Sequence, residues 1–186
     1  KQYKHPTVAC SVGVIGGRKA KPQRELMFAT GNLHKAAEME RMLAPIGCRV
    51  LPVELDVEET GKSFAENALL KARAVYALTG CPVIADDSGL CIDALNGQPG
   101  IYSARYGGEG ATSHDKNLKV LREMAGVEDR AARFVCAIAY LDQDGDEHLF
   151  VGECRGEIGF EERGGKGFGY DPIFMLGERS IAELEA

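Results

Sequence analysis

Two adjacent carboxylates, Asp86 and Asp87, directly follow a short apolar run that ends at Ala85. Neighbouring carboxylates repel each other and are costly to bury without partners. A hard cation would explain them, because Mg²⁺ binds one or two carboxylates and completes its coordination with water and substrate phosphates. The acidic loop around Glu58 could contribute to such a site. The alternative is a simple turn in which Asp87 or Ser88 caps neighbouring backbone groups.

A second group of polar residues lies in the segment Thr-Gly-Asn-Leu-His-Lys, residues 30–35, where a strand pattern runs into a helix pattern. Glycine lets the backbone approach a ligand, the helix N-terminus offers N–H groups, and Lys35 adds a positive charge. Thr30 and Asn32 add side-chain donors. The segment therefore suits phosphate binding, but an ordinary strand-to-helix turn with Asn32 as N-cap explains it equally well.

Two aromatic residues, Phe168 and Tyr170, lie among the glycines of the segment Gly-Gly-Lys-Gly-Phe-Gly-Tyr-Asp-Pro. Exposed aromatic rings on a loop are suited to stacking on a flat base. The alternative is that they anchor the loop to the hydrophobic core. The sequence alone leaves both interpretations open.

Composition excludes several classes of protein. The chain has 186 residues, 45% of them hydrophobic, which is enough for a sizeable core. Its 28 acidic and 22 basic residues give a net charge of -6, which argues against a nucleic-acid partner. No apolar run is long enough to span a bilayer, so no membrane partner is expected. The six cysteines lack metal-binding spacing, and we interpret them as reduced, buried thiols of a cytoplasmic protein.

The elements that must position these residues alternate between strand and helix and then end in a hairpin. This order predicts an α/β protein with a mixed central sheet. Ser63 and Glu66 form a capping-box pattern that opens a helix over residues 64–79. Residues 83–85 form a short buried strand, which places Asp86 and Asp87 at its C-terminal end, where open α/β sheets bind ligands. Strands are also predicted for residues 25–30, 48–55 (an edge strand, because of Pro52) and 133–141.

Three segments, in this order and spacing, closely resemble the inosine/xanthosine triphosphate pyrophosphatases. They are TGNLHK, ADDSGLCIDALNGQPGIYSARYGG and GFGYDP, and the similarity extends over about residues 26–184. The resemblance implies an α/β fold with two lobes around a nucleotide-binding cleft, usually as a homodimer. It also implies Mg²⁺-dependent hydrolysis of non-canonical purine nucleoside triphosphates (ITP, dITP, XTP) to the monophosphate and pyrophosphate, which cleanses the nucleotide pool.

The resemblance also implies roles for individual residues. Mg²⁺ would be held by Glu58 and Asp87, with Asp86 as a further candidate, and Asp87 would be the catalytic proton acceptor. The remaining implied residues bind substrate: the phosphates by Thr30, Gly31, Asn32, Leu33, His34, Lys35 and Lys71, and the rest of the nucleotide by Ser88, Phe168, Gly169, Tyr170 and Asp171.

The ends of the chain depart from the family pattern. The family continues with a lysine and a Ser-His-Arg segment, whereas this sequence stops at Ile-Ala-Glu-Leu-Glu-Ala. We therefore interpret residues 25–186 as the pyrophosphatase domain, shortened at its C-terminus, and residues 1–24 as an extension. One alternative function is a non-catalytic nucleotide-binding protein. Another is an aspartic protease, for which Asp87-Ser88-Gly89 is the signature and a homodimer would supply the second aspartate.

Overall fold

Strands and helices alternate through the first half of the chain, as the sequence predicts. The computed structural model describes residues 24–184. The helices are α1 (Leu33–Leu43), α2 (Phe64–Thr79) and α3 (Ser113–Glu123). The strands are β1 (Arg24–Ala29), β2 (Cys48–Val53), β3 (Val83–Ile92), β4 (Ala131–Leu141), β5 (Glu147–Ile158), β6 (Phe174–Leu176) and β7 (Arg179–Ser180). The extension predicted for residues 1–24 lies outside the described residues, except that Arg24 begins β1.

The strands form one seven-stranded sheet in the order β2-β1-β3-β4-β5-β6-β7. Strand β1 is parallel to both β2 and β3, whereas β6 is antiparallel to β5 and β7. The predicted mixed sheet is therefore confirmed. Strand β2 lies at one edge, where the missing N–H group of Pro52 is tolerated.

The described chain divides into two compact units. The first unit contains residues 24–59, Leu69–Ala85 and Ala139–His148. Its core cluster consists of Phe28, Val50 and Ile84, and the apolar side of α1 packs against it through Ala36 and Met39. These two residues lie three positions apart, so they share one face of the helix.

The second unit contains Thr60–Ala68, Asp86–Ile138 and residues 149–184. Its core cluster includes nine buried residues: Leu90, Ile92, Val120, Met124, Ala132, Ile158, Tyr170, Ile173 and Phe174. Helix α3 begins with a complete capping box, in which Thr112 and Asp115 each satisfy a backbone N–H group of the other. This cap fixes the start of α3.

Helix α2 has the predicted bounds. The Ser63 hydroxyl accepts a hydrogen bond from the Glu66 N–H group at 3.2 Å, and Gly80, with φ of +63°, follows the last turn. The Glu66 carboxylate reaches back to the Lys62 N–H group at 2.6 Å, one residue earlier than the predicted box requires. Within residues 24–184, no helix is long and apolar enough to cross a membrane.

Strand β3 differs from the prediction. It spans ten residues rather than three, and Asp86 and Asp87 lie inside it rather than at its C-terminal end. Its parallel pairing with β1 stops at Ala85, which lies opposite the last residue of β1. Beyond that point β3 still has β4 as its neighbour, and its apolar residues after Gly89 are buried. Ala85, which was predicted to end the strand, is thus only the last residue of β3 that pairs with β1.

Candidate functional site

The turn between β1 and α1 is held together by its own polar side chains. The Thr30 hydroxyl accepts a hydrogen bond from the Asn32 N–H group at 3.1 Å. The Asn32 side-chain oxygen accepts from the N–H groups of His34 and Lys35, at 2.9 and 3.3 Å. Asn32 is therefore the N-cap of α1, which begins at Leu33. The cap satisfies two of the N–H groups that we expected the helix to offer to phosphate.

The side chains of this turn differ in exposure. Leu33 is 76% exposed, and Gly31 and His34 are also exposed, whereas Thr30 and Lys35 are half-buried. A Cβ atom at Gly31 would lie 3.0 Å from the Glu54 carboxylate, so little room exists there for a side chain. The turn thus brings one cation and two polar side chains to the carboxyl end of β1, as predicted.

The second predicted phosphate ligand, Lys71, forms an ion pair in the same unit. Its Nζ atom lies 3.0 Å from Oε1 of Glu59, and both side chains are largely buried. Glu58, the predicted metal ligand, is an exposed neighbour of Glu59. A half-buried lysine held beside a carboxylate has a fixed orientation, which suits a phosphate-binding cation.

The paired aspartates lie in the second unit and are both buried, with exposed fractions of 6% for Asp86 and 8% for Asp87. The Ser88 hydroxyl donates a hydrogen bond to Asp86 Oδ2 at 3.3 Å. The side-chain amide of Asn67 donates to Asp87 Oδ2 at 3.0 Å. Each carboxylate therefore has a donor that offsets part of the cost of its burial.

Asn67 is a functional candidate that the sequence analysis missed. It is completely buried on the first turn of α2, and its amide spans from Asp87 to the Gly61 N–H group. A signal for it existed: asparagine is unfavourable inside a helix unless its side chain has a specific partner. Asn67 precedes the buried Ala68, and a polar residue beside a buried helix position is a candidate for such a partner.

The donor set of the second unit suits a hard cation. Among residues 24–184, no group of three or more His, Cys, Asp or Glu side chains is arranged to hold a metal ion. Mg²⁺ does not need such a group, because it commonly binds one or two carboxylates together with water and substrate phosphates. Neighbouring residues of a strand point to opposite faces, so a single buried carboxylate, such as that of Asp87, fits this limited protein contribution better than both together.

The two aromatic residues of the glycine-rich loop have different environments. Tyr170 is buried in the core cluster, and its hydroxyl donates to the Ser103 carbonyl at 2.8 Å. Burial raises the pKa of Tyr170 well above its usual value. Of the two interpretations that the sequence leaves open, anchoring to the core therefore describes Tyr170. Phe168 is 39% exposed and remains accessible for stacking.

Asp171 and the glycines shape the loop around Phe168. The Asp171 carboxylate accepts a hydrogen bond from the Phe168 N–H group at 2.8 Å. Gly167 and Gly169 have φ values of +74° and +63°, which side-chain-bearing residues rarely adopt. A Cβ atom at Gly167 would also collide with the Asp171 carboxylate. These constraints fix the backbone on both sides of Phe168.

The fold is that of a mixed α/β protein, and its candidate residues include cations and polar groups of the kind that an anionic ligand would require. The Ham1 family profile matches residues 26–186, and the chain belongs to that family. It is 48% identical over 164 residues to a dITP/XTP pyrophosphatase of Synechocystis sp., covering 86% of this chain and 83% of that protein. A dITP/XTP pyrophosphatase of Haemophilus influenzae is 46% identical over 173 residues, with coverage of 88% and 89%.

Solved structures give the same result. A HAM1 protein from Coxiella burnetii superimposes with a TM-score of 0.78 at 41% sequence identity, covering 87% of each chain. The Ham1 protein of Staphylococcus aureus gives a TM-score of 0.77 at 38% identity, also covering 87% of each chain. The predicted family is thus confirmed, and the aspartic protease interpretation of Asp87-Ser88-Gly89 is wrong.

Proposed function

We propose that this protein is a nucleoside triphosphate pyrophosphatase that hydrolyses dITP, ITP and XTP to the monophosphate and pyrophosphate. It would act on the nucleotide pool of the cytoplasm. The observation that carries the proposal is the buried pair Asp86-Asp87, hydrogen-bonded by Asn67 and Ser88, in a chain nearly half identical to dITP/XTP pyrophosphatases. Buried adjacent carboxylates are costly, so a catalytic or metal-binding role is a better explanation than packing.

Residues of the first unit would bind the triphosphate. Lys35 and Lys71 supply positive charge, which the several negative charges of the substrate require before an anionic nucleophile can approach. Thr30 and Asn32 supply polar groups in the turn that also contains Gly31, Leu33 and His34. The ion pair of Lys71 with Glu59 supports this role, because it holds the lysine in place before the substrate binds.

Asp87 would be the catalytic proton acceptor. It orients and deprotonates the water that attacks the α-phosphorus, which releases pyrophosphate as the leaving group. Its hydrogen bond from Asn67 leaves a carboxylate of fixed orientation, as a general base needs. Asp86 accepts its own hydrogen bond from Ser88, which supports a secondary role for Asp86.

The proposed cofactor is Mg²⁺. Glu58 and Asp87 are the residues that would hold it, with Asp86 as a further candidate, and carboxylate oxygens are the ligands that this cation prefers. When bound, Mg²⁺ neutralises phosphate charge and assists displacement at phosphorus.

The glycine-rich loop of the second unit would bind the base and sugar. Phe168 offers a partly exposed ring for stacking, and stacking tolerates any flat base. Gly169, Tyr170 and Asp171 set the conformation of this loop, and Ser88 would contact the substrate as well. In this proposal Tyr170 acts from the core, through its hydrogen bond to Ser103, rather than by direct stacking.

The proposed assembly is a homodimer. Three consecutive apolar residues of β5, Leu149, Phe150 and Val151, are 46%, 60% and 62% exposed. A run of exposed apolar side chains on a strand is a common feature of protein interfaces. Light scattering should give twice the chain mass for the wild-type protein and the single chain mass for Phe150→Glu. A wild-type protein that is monomeric at micromolar concentration contradicts the dimer.

A nucleotide panel tests the proposed function. Pyrophosphate release is measured with dITP, XTP, dATP and dGTP, each with Mg²⁺ and with a chelator. We expect release from dITP and XTP, weak release from dATP and dGTP, and none with the chelator. If calorimetry detects dITP binding while no nucleotide is hydrolysed, the protein is the non-catalytic nucleotide-binding protein that the sequence left open.

A further inference from the structure

Asn67, on the first turn of α2, links the Gly61 backbone to the Asp87 side chain. Both ends of its side-chain amide form hydrogen bonds. The side-chain oxygen accepts a hydrogen bond from the Gly61 N–H group at 2.8 Å. The side-chain nitrogen donates to Asp87 Oδ2 at 3.0 Å. The side chain is completely buried, so water does not compete for either bond. Asn67 therefore fixes Asp87 relative to the loop that precedes the helix.

The chain around Asn67 is shaped to allow this contact. A Cβ atom at Gly61 would lie 2.5 Å from the Asn67 side-chain oxygen, closer than any normal contact. Only glycine at position 61 lets the amide approach the backbone at this point. The helix start adds rigidity, because the Ser63 carbonyl accepts from the Asn67 N–H group at 3.1 Å. Backbone and side chain of Asn67 are thus both constrained.

The other fully buried asparagine of the second unit is a useful contrast. Asn117 on α3 is 1% exposed, and its side-chain nitrogen donates to Glu162 at 2.7 Å. Its side-chain oxygen has no hydrogen-bond partner among the described residues. Asn67 and Asn117 therefore have the same chemistry and burial, but only Asn67 contacts the proposed catalytic carboxylate.

We propose that Asn67 is a positioning residue for catalysis: it holds the Asp87 carboxylate in its reactive orientation and ties it to Gly61. This inference rests on the proposed role of Asp87. The Asn67 amide offers a hydrogen on the side that faces Asp87 and an acceptor toward Gly61. An ionised acid of the same size lacks the donor, and an alkyl side chain lacks both groups.

The test compares Asn67→Asp with Asn117→Asp. Asn67→Asp keeps the size of the side chain and an oxygen for Gly61, but it replaces the donor to Asp87 with a repelling carboxylate. We expect kcat for dITP to fall about 100-fold while KM changes by less than about threefold, because a displaced base affects the chemical step more than binding. Asn117→Asp should lower the melting temperature similarly and leave kcat within about threefold of wild type.

Two further measurements keep the test decisive. Gly61→Ala alters the contact without changing Asn67 or Asp87, and it should lower kcat with little change in KM. Hydrogen exchange at the Gly61 amide should be slow in the wild type and faster in Asn67→Ala. The proposal is overturned if a folded Asn67→Asp or Gly61→Ala protein keeps wild-type kcat, or if Asn117→Asp loses as much activity as Asn67→Asp.

Failure of the proposed function gives a different pattern. A wild-type protein that does not hydrolyse dITP contradicts the assigned activity. The hydrogen-exchange rate of the Gly61 amide then still tests whether the Asn67 side chain binds the Gly61 backbone. An unchanged exchange rate in Asn67→Ala overturns the positioning role even when the enzyme is active.

Discussion

The two units contribute candidate residues of different character. In the first unit, Asn32 and Lys35 lie on a surface turn, and Lys71 forms an ion pair with Glu59. In the second unit, Asp87 and Tyr170 are buried. They form hydrogen bonds with Asn67 and Ser103, which are distant from them in sequence. The turn residues of the first set are placed by local helix capping, whereas Lys71 and the second set are placed by contacts with residues more distant in the chain. We therefore expect substitutions in the first unit to weaken substrate binding and those in the second to impair chemistry or stability.

The largest effect is predicted for Asp87→Asn. The substitution keeps the shape of the side chain but removes the proton acceptor, which typically contributes about 10²- to 10⁴-fold to the rate. We expect kcat for dITP to fall by that factor while dITP affinity, measured by calorimetry, stays close to wild type. Asp86→Asn is the matched control, and its kcat should fall less. The reason is that Asp86 accepts a hydrogen bond from Ser88 rather than from Asn67. Equal losses in both variants would contradict the separate roles of the two carboxylates.

The second prediction concerns Lys71, the buried cation of the first unit. Lys71→Met removes a charged partner of phosphate, and such interactions contribute about 1.5–3 kcal/mol each. KM for dITP should therefore rise about 10- to 100-fold. Arg73, two residues further along α2, is the control. Its ion pair with Glu147 is exposed, and exposed ion pairs typically contribute less than about 1 kcal/mol to stability. If Arg73→Met raises KM as much as Lys71→Met, a specific phosphate contact is not the cause.

The third prediction separates the two aromatic residues of the second unit. Phe168→Ala should raise KM several-fold at unchanged melting temperature, because stacking contributes about 1–3 kcal/mol per base and this ring is only partly exposed. Tyr170→Phe removes the donor to the buried Ser103 carbonyl and should lower the melting temperature, at about 2–4 °C per kcal/mol lost. An unchanged melting temperature for Tyr170→Phe would show that Tyr170 is not a structural anchor.

The smallest predicted effect is the response to acid, which should be alike in both units. The pKa is lowered for Asp115 by the Thr112 hydroxyl and for Glu147 by its hydrogen bond from Arg73. In the folded protein both pKa values lie below the ordinary 3.8 of Asp and 4.5 of Glu. The contribution of these two carboxylates to folding stability is therefore complete above their ordinary pKa values, and it is lost as the pH falls through the lowered pKa values. The melting temperature should thus decrease gradually between pH 5 and pH 3. A rise over this range would contradict the assignment.

Much of the fold was predictable because its signals are local. The helix bounds follow from caps that the sequence displays, Asn32, Ser63 and Thr112, and the edge position of β2 follows from Pro52. These residues act on backbone groups within four positions of themselves. A sequence pattern records such short-range chemistry directly.

The remaining features depend on contacts that are distant in sequence. Strand β3 was predicted too short because Asp-Asp-Ser-Gly is typical of a turn, whereas β3, which lies between β1 and β4 in the sheet, stays extended through these residues. The sequence left open whether Tyr170 is exposed or anchors its loop, because its hydrogen-bond partner Ser103 lies 67 positions earlier in the chain. Asn67 was missed because its partner Asp87 lies 20 residues further along.

The most direct test of the central claim is the position of bond cleavage. The wild-type protein is incubated with dITP and Mg²⁺ in water enriched in ¹⁸O, and the products are separated and weighed by mass spectrometry. Attack of water at the α-phosphorus predicts dIMP that carries one ¹⁸O atom and pyrophosphate that carries none. Release of orthophosphate together with dIDP would contradict the assignment of this protein as a pyrophosphatase, and label found in pyrophosphate would contradict attack at the α-phosphorus.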